Sequence, residues 1–214
     1  MPRPQPTLVY HMTRIERLAG MVREGLLSDT ECRRRGITGV GIGYSHLKER
    51  RAHRTVPCGA GGTLADYVRW YFAPRSPMLY AITKGQVGAE AAQTEEIVYV
   101  VSSTQRLREA GVTVVASDRH AVLQLARLSA DDADLDGDDF VDWGLMEARM
   151  WAPTPDQPDR KERRQAECLA HPSVPWSAVA GVVTRTEEAA RKVETVLRDC
   201  GGTTYVDVRP HWYF

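Results

Sequence analysis

YVRWYFAPRSPMLY, residues 67–80, is the stretch whose reading decides the fold. Tyr67–Phe72 is dense in aromatic and β-branched residues and predicts a strand. Pro74 cannot donate to a ladder and ends it. Ser76 then has the chemistry of an N-cap, with Pro77 at the first helical position and Met78, Leu79 and Tyr80 behind it. A strand therefore runs into a tight corner and directly into a helix. The corner carries Arg75 beside flat aromatic faces. That arrangement suits a planar ligand bearing phosphate, and equally a buried aromatic strand edge with a surface arginine.

On the N-terminal side, Thr7–Tyr10 predicts a short strand that ends at His11. Thr13 and Glu16 have the T-x-x-E spacing of a capping box, and Ile15, Leu18, Met21 and Val22 give the following helix one apolar face. Gly25 ends that helix. His11 is thereby placed at a strand-to-helix junction. Residues 28–43 are polar and glycine-rich. Their GxGxG run lacks the strand, spacing and acidic partner of a dinucleotide fingerprint and is discounted. Tyr44–Thr55 concentrates Lys48, Arg50, Arg51 and Arg54 against one acid, Glu49; a solvated helix face is the simplest reading of such a run. The glycine-rich loop at 58–63 leads into the aromatic strand.

On the C-terminal side, Glu96–Val101 reads as a buried strand, and Ser102 or Ser103 caps a helix that runs to Gly111. Val112–Ala116 is a strand that meets the polar cluster Ser117-Asp118-Arg119-His120. A helix carrying Val122, Leu123, Leu125 and Leu128 is expected next. Asp132, Asp134, Asp136 and Gly137 mimic the first half of a calcium loop, but its twelfth position is Trp143, not a bidentate Glu. The stretch reads as a solvated acidic loop with no metal. A helix over Phe140–Trp151 and a proline loop lead to a second basic cluster, Asp159–Arg164. The strand Gln165–Leu169 then carries Glu167. A strand at Val179–Thr184, a helix at Thr186–Cys200 closed by Gly201-Gly202, and a strand at Thr204–Val208 lead to the terminal HWYF. Strands and helices mix without βαβ alternation, which defines an α+β class.

A chain of 214 residues with 43% hydrophobic and 26% charged content suits one soluble domain, residues 1–214. Formal net charge is zero, so a general nucleic-acid coat is not implied and any such site is a local patch. Four cysteines without a CxxC pair read as reduced thiols. There is no apolar run of membrane length, and MPRPQPTLVY lacks a signal peptide's apolar core. A cytoplasmic protein with no membrane partner is the expectation.

In order along the chain stand YHMTRIERLAGMVREGLL, ERRAHRTVP at 49–57, DYVRWYFAPRSPMLYAI at 66–82, SDRHAV at 117–122, RRQAECL at 163–169 and the closing WYF. Taken together they resemble the DarT family of DNA ADP-ribosyltransferase toxins. The departures lie chiefly at 131–139 and 28–40, in loops that bear on sequence preference more than on chemistry.

The resemblance implies an ADP-ribosyltransferase-like fold with a split central β-sheet and peripheral helices. It implies transfer of ADP-ribose from NAD, a substrate, to thymidine N3 in single-stranded DNA, a transferase reaction of glycosyl or nucleotidyl type. It also implies a DarG-type macrodomain antitoxin as partner. Glu167 matches the family's catalytic Glu, which stabilises an oxocarbenium-like ribose and can take the thymine proton. Arg51 matches a functional Arg that steadies either the deprotonated thymine or the NAD phosphates. His120 matches a site histidine, orienting the base or sharing the proton. His11 and Thr13 match the NAD-binding start, and Tyr71 is expected to flank the nicotinamide. Arg75, Met78, Arg160, Arg163 and Arg164 are the expected DNA contacts. The alternatives are a guanine, RNA or protein acceptor, or a catalytically dead nucleic-acid-binding module.

Overall fold

The corner at 67–80 forms as its residues dictate. Val68–Tyr71 is a strand, and the Ser76 hydroxyl accepts the Leu79 N–H at 3.2 Å, with Pro77 opening the helix Pro77–Thr83. The computed structural model describes residues 1–37, 45–85, 95–137 and 139–214, with the side chains of Ser45 and His46 left aside; the GxGxG run lies outside the described residues.

In chain order the elements are β1 (Leu8–Arg14), α1 (Leu18–Glu24), β2 (Leu26–Leu27), α2 (Asp29–Arg34), α3 (Ser45–His53), β3 (Val68–Tyr71) and α4 (Pro77–Thr83). Then follow β4 (Ile97–Ser103), α5 (Thr104–Glu109), β5 (Thr113–Ser117), β6 (Leu128–Ser129), α6 (Trp143–Glu147) and α7 (Arg160–Arg163). The last are β7 (Glu167–His171), β8 (Ser173–Val174), β9 (Gly181–Thr184), α8 (Glu187–Asp199) and β10 (Val206–Val208).

Eight strands form one sheet in the order β10-β9-β4-β1-β3-β7-β5-β6, and β2 pairs with β8 apart from it. Neighbours are antiparallel except β9 and β10. The seam between β1 and β3 rests on a single register pair, Tyr10↔Tyr71, whereas β1 pairs with β4 along its whole length. The sheet is therefore two four-strand halves that touch at one point and part beyond it, the split that the resemblance implies.

Period-two alternation sorts the side chains. One face carries a continuous core from both halves, with Val9, Val98 and Val182 on one side of the seam and Trp70, Cys168 and Val114 on the other. The helix α8 closes that face with Ala189, Val193 and Leu197, and Leu18 of α1 joins it. The opposite face holds two separate apolar clusters, one around Tyr10, Tyr71 and Tyr99 and one around Leu64, Val115 and Leu169.

Several expectations are corrected. β1 continues through Arg14, so His11 lies inside a strand, and Thr13 is buried in the ladder with no capping box. A full-length partner in β4 outweighs the local capping signal. Residues 121–127 form turns rather than a helix, because Leu128 and Ser129 pair with β5 as β6. Trp143–Glu147 is all that is helical of 140–151. Ser28 caps α2, a helix that the polar composition of 28–36 concealed. The acidic loop is not merely solvated: Asp132 and Asp136 accept the guanidinium of buried Arg3, and Arg108 adds to Asp132, so the carboxylates pin the N-terminal segment.

Candidate active site

β7 opens on Glu167, whose side chain enters the face with the two separate clusters. Across the strand pair stands Tyr71 of the first cluster; two residues along stands Leu169 of the second. Glu167 lies between them at 0% exposure.

Its polar partners come from three directions. Oε2 accepts from Arg51 Nη1 at 2.9 Å, delivered by the last turn of α3. Oε1 accepts the Ala121 N–H at 3.1 Å and stands 3.7 Å from His120 Nε2. Arg51 is itself buried and donates its second arm to the Leu64 carbonyl at 3.3 Å. Burial alone pushes the Glu167 carboxyl up, but Arg51, His120 and Arg69 together outweigh it and hold the group below the usual carboxylate range. The result is a dry, anionic carboxylate.

Burial lowers the His120 pKa more than the neighbouring carboxylate raises it, and Arg51, Arg69 and Arg50 add to the lowering. The imidazole is neutral at pH 7 and free to take a proton. Its backbone N–H donates to the Glu162 carbonyl at 3.0 Å, which joins α7 to the site.

The loop 118–127 that carries His120 and Ala121 is tied at its neck. Asp118 accepts the Arg127 N–H at 3.0 Å and its Nε at 3.1 Å, and Arg54 donates to the carbonyls of Gln124 and Ala126.

His11 stands in the seam. Its Nδ1 donates to the Arg69 carbonyl at 2.8 Å, where the parting of β1 from β3 leaves no ladder partner. That bond puts the proton on Nδ1 and leaves Nε2 as an acceptor. Burial lowers its pKa to about 4, so this tautomer is fixed and neutral. The Trp70 ring lies 5.5 Å away, and its buried indole N–H has no acceptor among the described residues. His11 Nε2 is thus left as an acceptor of the kind that a sugar hydroxyl satisfies.

The structure therefore brings Arg51, His120 and Glu167 into one cluster and leaves His11 on the opposite face of the sheet, beside Trp70 and with β3 between it and β7, linked to the cluster through the Arg69 backbone. Tyr71 is covered by its own cluster, with its hydroxyl 3.9 Å from Met78 Sδ, so no open ring face is presented. Thr13 is equally enclosed. Two expected DNA contacts lie largely buried. Met78 is a core residue, and Arg164 is 3% exposed, because its guanidinium gathers the carbonyls of Leu145, Met146, Ala148 and Pro74. Arg75 is spent on the Tyr213 carbonyl and the Phe214 ring, 4.2 Å away. Arg160 bonds Gln157, and Arg163 pairs with Asp159 and Asp142. Sequence reasoning missed Arg69, although alternation in YVRWYF places it on the same strand face as Tyr71. Two shallow surface hollows, one along α8 and one beside Arg127, contain none of these groups.

A dry carboxylate fixed as an anion suits a reaction in which positive charge builds on carbon, and a split sheet with that group at a strand start is the frame of an ADP-ribosyltransferase. The family model described as "ssDNA thymidine ADP-ribosyltransferase, DarT" matches residues 10–214, and the chain belongs to this family. It is 36% identical over 216 residues to a DNA ADP-ribosyl transferase of Thermus sp. (strain 2.9), covering 99% of this chain and 98% of the relative. Among solved structures it is similar to Thermus sp. 2.9 DarT in complex with ADP-ribosylated ssDNA, with a TM-score of 0.89, 35% identity and 100% of both chains covered. The same protein in complex with NAD+ gives a TM-score of 0.85 at 33% identity, with 99% of each chain covered.

Proposed function

We propose that this chain transfers ADP-ribose from NAD to N3 of a thymidine in single-stranded DNA and releases nicotinamide, with Glu167 as the catalytic carboxylate. The observation that carries the reading is the anionic Glu167, at the start of an interior strand of a split sheet, beside neutral His120 of the adjoining loop. The Thermus relative that was solved with NAD+ and with ADP-ribosylated ssDNA supports both substrates.

In balance, the bond from ribose C1′ to the nicotinamide nitrogen breaks and its electron pair leaves with nicotinamide. The N3 proton leaves thymine, and the freed pair on N3 forms the new bond to C1′. No bond to phosphorus is made or broken, so this is glycosyl transfer and not nucleotidyl transfer. NAD supplies the ADP-ribosyl group on a good leaving group. Glu167 faces the positive charge that develops at the sugar. His120 takes the N3 proton, since Arg51 keeps Glu167 a weak base, and the carboxylate 3.7 Å away stabilises the imidazolium. Arg51 holds Glu167 ionised. His11 Nε2 receives a ribose hydroxyl.

The thymine must arrive unstacked, because N3 is hidden in a base pair. Exposed Arg50 and half-buried Arg119, with Arg160 and Arg163 of α7, form a basic edge beside His120 and are the assigned phosphate contacts; Arg75 stands beside the C-terminus. We read residues 1–214 as one domain, since a single core runs through both half-sheets. None of the described helices is long and apolar enough to cross a membrane. A cytoplasmic toxin whose mark is removed by a DarG-type macrodomain antitoxin fits this chemistry. The fold is also similar to that of Thermosipho africanus DarTG, with a TM-score of 0.74 at 16% identity.

Mass spectrometry of a thymine-bearing oligonucleotide after incubation with NAD tests the reading. One ADP-ribose on thymine is the expected product. Label on guanine, RNA or protein alone replaces the acceptor, and no transfer to any of them leaves a binding module.

A further inference from the structure

We propose that Ser117 is a positioning residue: its buried hydroxyl clips the start of β7 to the loop over the site and so aims the Glu167 carboxylate. The inference rests on Glu167 being the catalytic carboxylate. Ser117 ends β5, and the β5–β7 ladder runs out one residue earlier, at the pair Ala116↔Cys168. The Glu167 N–H therefore goes to Ser117 Oγ, at 2.9 Å, in place of a ladder carbonyl. The same hydroxyl donates to the Arg119 carbonyl at 2.6 Å. One oxygen, at 0% exposure, thus joins the backbone of the catalytic residue to the turn that precedes His120 and Ala121. Those two residues supply the Ala121 N–H on Oε1 and the imidazole beside it. Without the hydroxyl, the strand start and the turn lose their shared anchor. The Asp118–Arg127 neck still closes the loop, so the loop stays folded but the two contacts on Oε1 drift.

The charged groups facing Glu167 are Arg51 from α3, Arg69 from β3 and His120 from the loop. Only the loop's contribution depends on Ser117. Steady-state transfer to a thymine oligonucleotide is compared for wild type, Ser117→Ala, Ser117→Thr and Glu167→Gln, with thermal melts alongside. For Ser117→Ala, kcat falls about 10- to 100-fold with KM for NAD little changed, as for a misplaced catalytic group. The acidic limb of its pH–rate profile moves to higher pH, because Oε1 has lost partners that favour its charge. Ser117→Thr, which keeps the oxygen, recovers most of kcat. If Ser117→Ala does not fold, Ser117→Cys takes its place, filling the site while holding both bonds weakly. The inference is overturned if the folded variant keeps wild-type kcat with an unmoved acidic limb, or loses only stability. A fully active Glu167→Gln instead removes the underlying assignment, and an inactive one beside a normal Ser117→Ala removes this inference alone.

Discussion

Arg75 occupies a backbone φ of 55°, the left-handed region that side chains with a Cβ rarely adopt. Three contacts hold it there: its guanidinium donates to the Tyr213 carbonyl and covers the Phe214 ring, while its N–H donates to the Tyr99 hydroxyl at 3.1 Å. Arg75→Ala loses the side-chain contacts and keeps the strain, costing about 1–2 kcal/mol; Arg75→Gly loses the same contacts but relaxes φ and costs less. Denaturant midpoints check the order, and an alanine variant as stable as the glycine one contradicts it. At this scale the sequence was legible where chemistry sat in an ordered motif set: Glu167, Arg51 and His120 do converge. It was not legible in DRKERR. Consecutive arginines look alike in sequence, yet Arg163 meets surface acids and Arg164 turns inward to four carbonyls. Which one is buried depends on α6 and the Pro74 corner, both distant in the chain.

Arg164 is also what locks elements together. It holds the end of α6, the Pro74 corner and the turn before β7, and burial brings its pKa down to about 10. Arg164→Ala leaves buried carbonyls unpaired and costs about 3 kcal/mol or more by thermal or chemical unfolding. Arg164→Lys restores little, since a point-like ammonium cannot span both groups of acceptors; a lysine variant of wild-type stability refutes the clamp. The seam between β1 and β3 gives a pH signature. His11 titrates near 6.5 when unfolded and about 4 when folded. Between those values the unfolded chain binds the extra proton, so stability is full above pH 6.5 and declines as pH falls toward 4. His11→Gln removes that component, and its melting temperature falls less steeply over the same window; parallel curves for the two proteins refute the buried neutral histidine. Local signals gave the 67–80 corner, the Ser103 and Thr186 caps and α8. They failed at β1, where the deciding partner is β4, some ninety residues away.

Across the whole molecule, charge and topology divide the work. Net charge is zero, and Arg3, Arg51, Arg75 and Arg164 are committed to internal partners. Affinity for single-stranded DNA therefore rests on few phosphates. With about three of them, the plot of log affinity against log salt has a slope near −2. A slope several times steeper in a titration series points to a basic surface other than the Arg50 and α7 edge. The two half-sheets meet at Tyr10↔Tyr71, and the residues assigned to NAD and to thymine lie around that parting, a long-range register that composition does not encode. The most direct test is the single-turnover rate of ADP-ribose transfer by Glu167→Gln, at saturating NAD with a one-thymine oligonucleotide. The account predicts a rate at least about 10²- to 10³-fold below wild type with NAD affinity nearly unchanged. A rate within a few fold of wild type contradicts it.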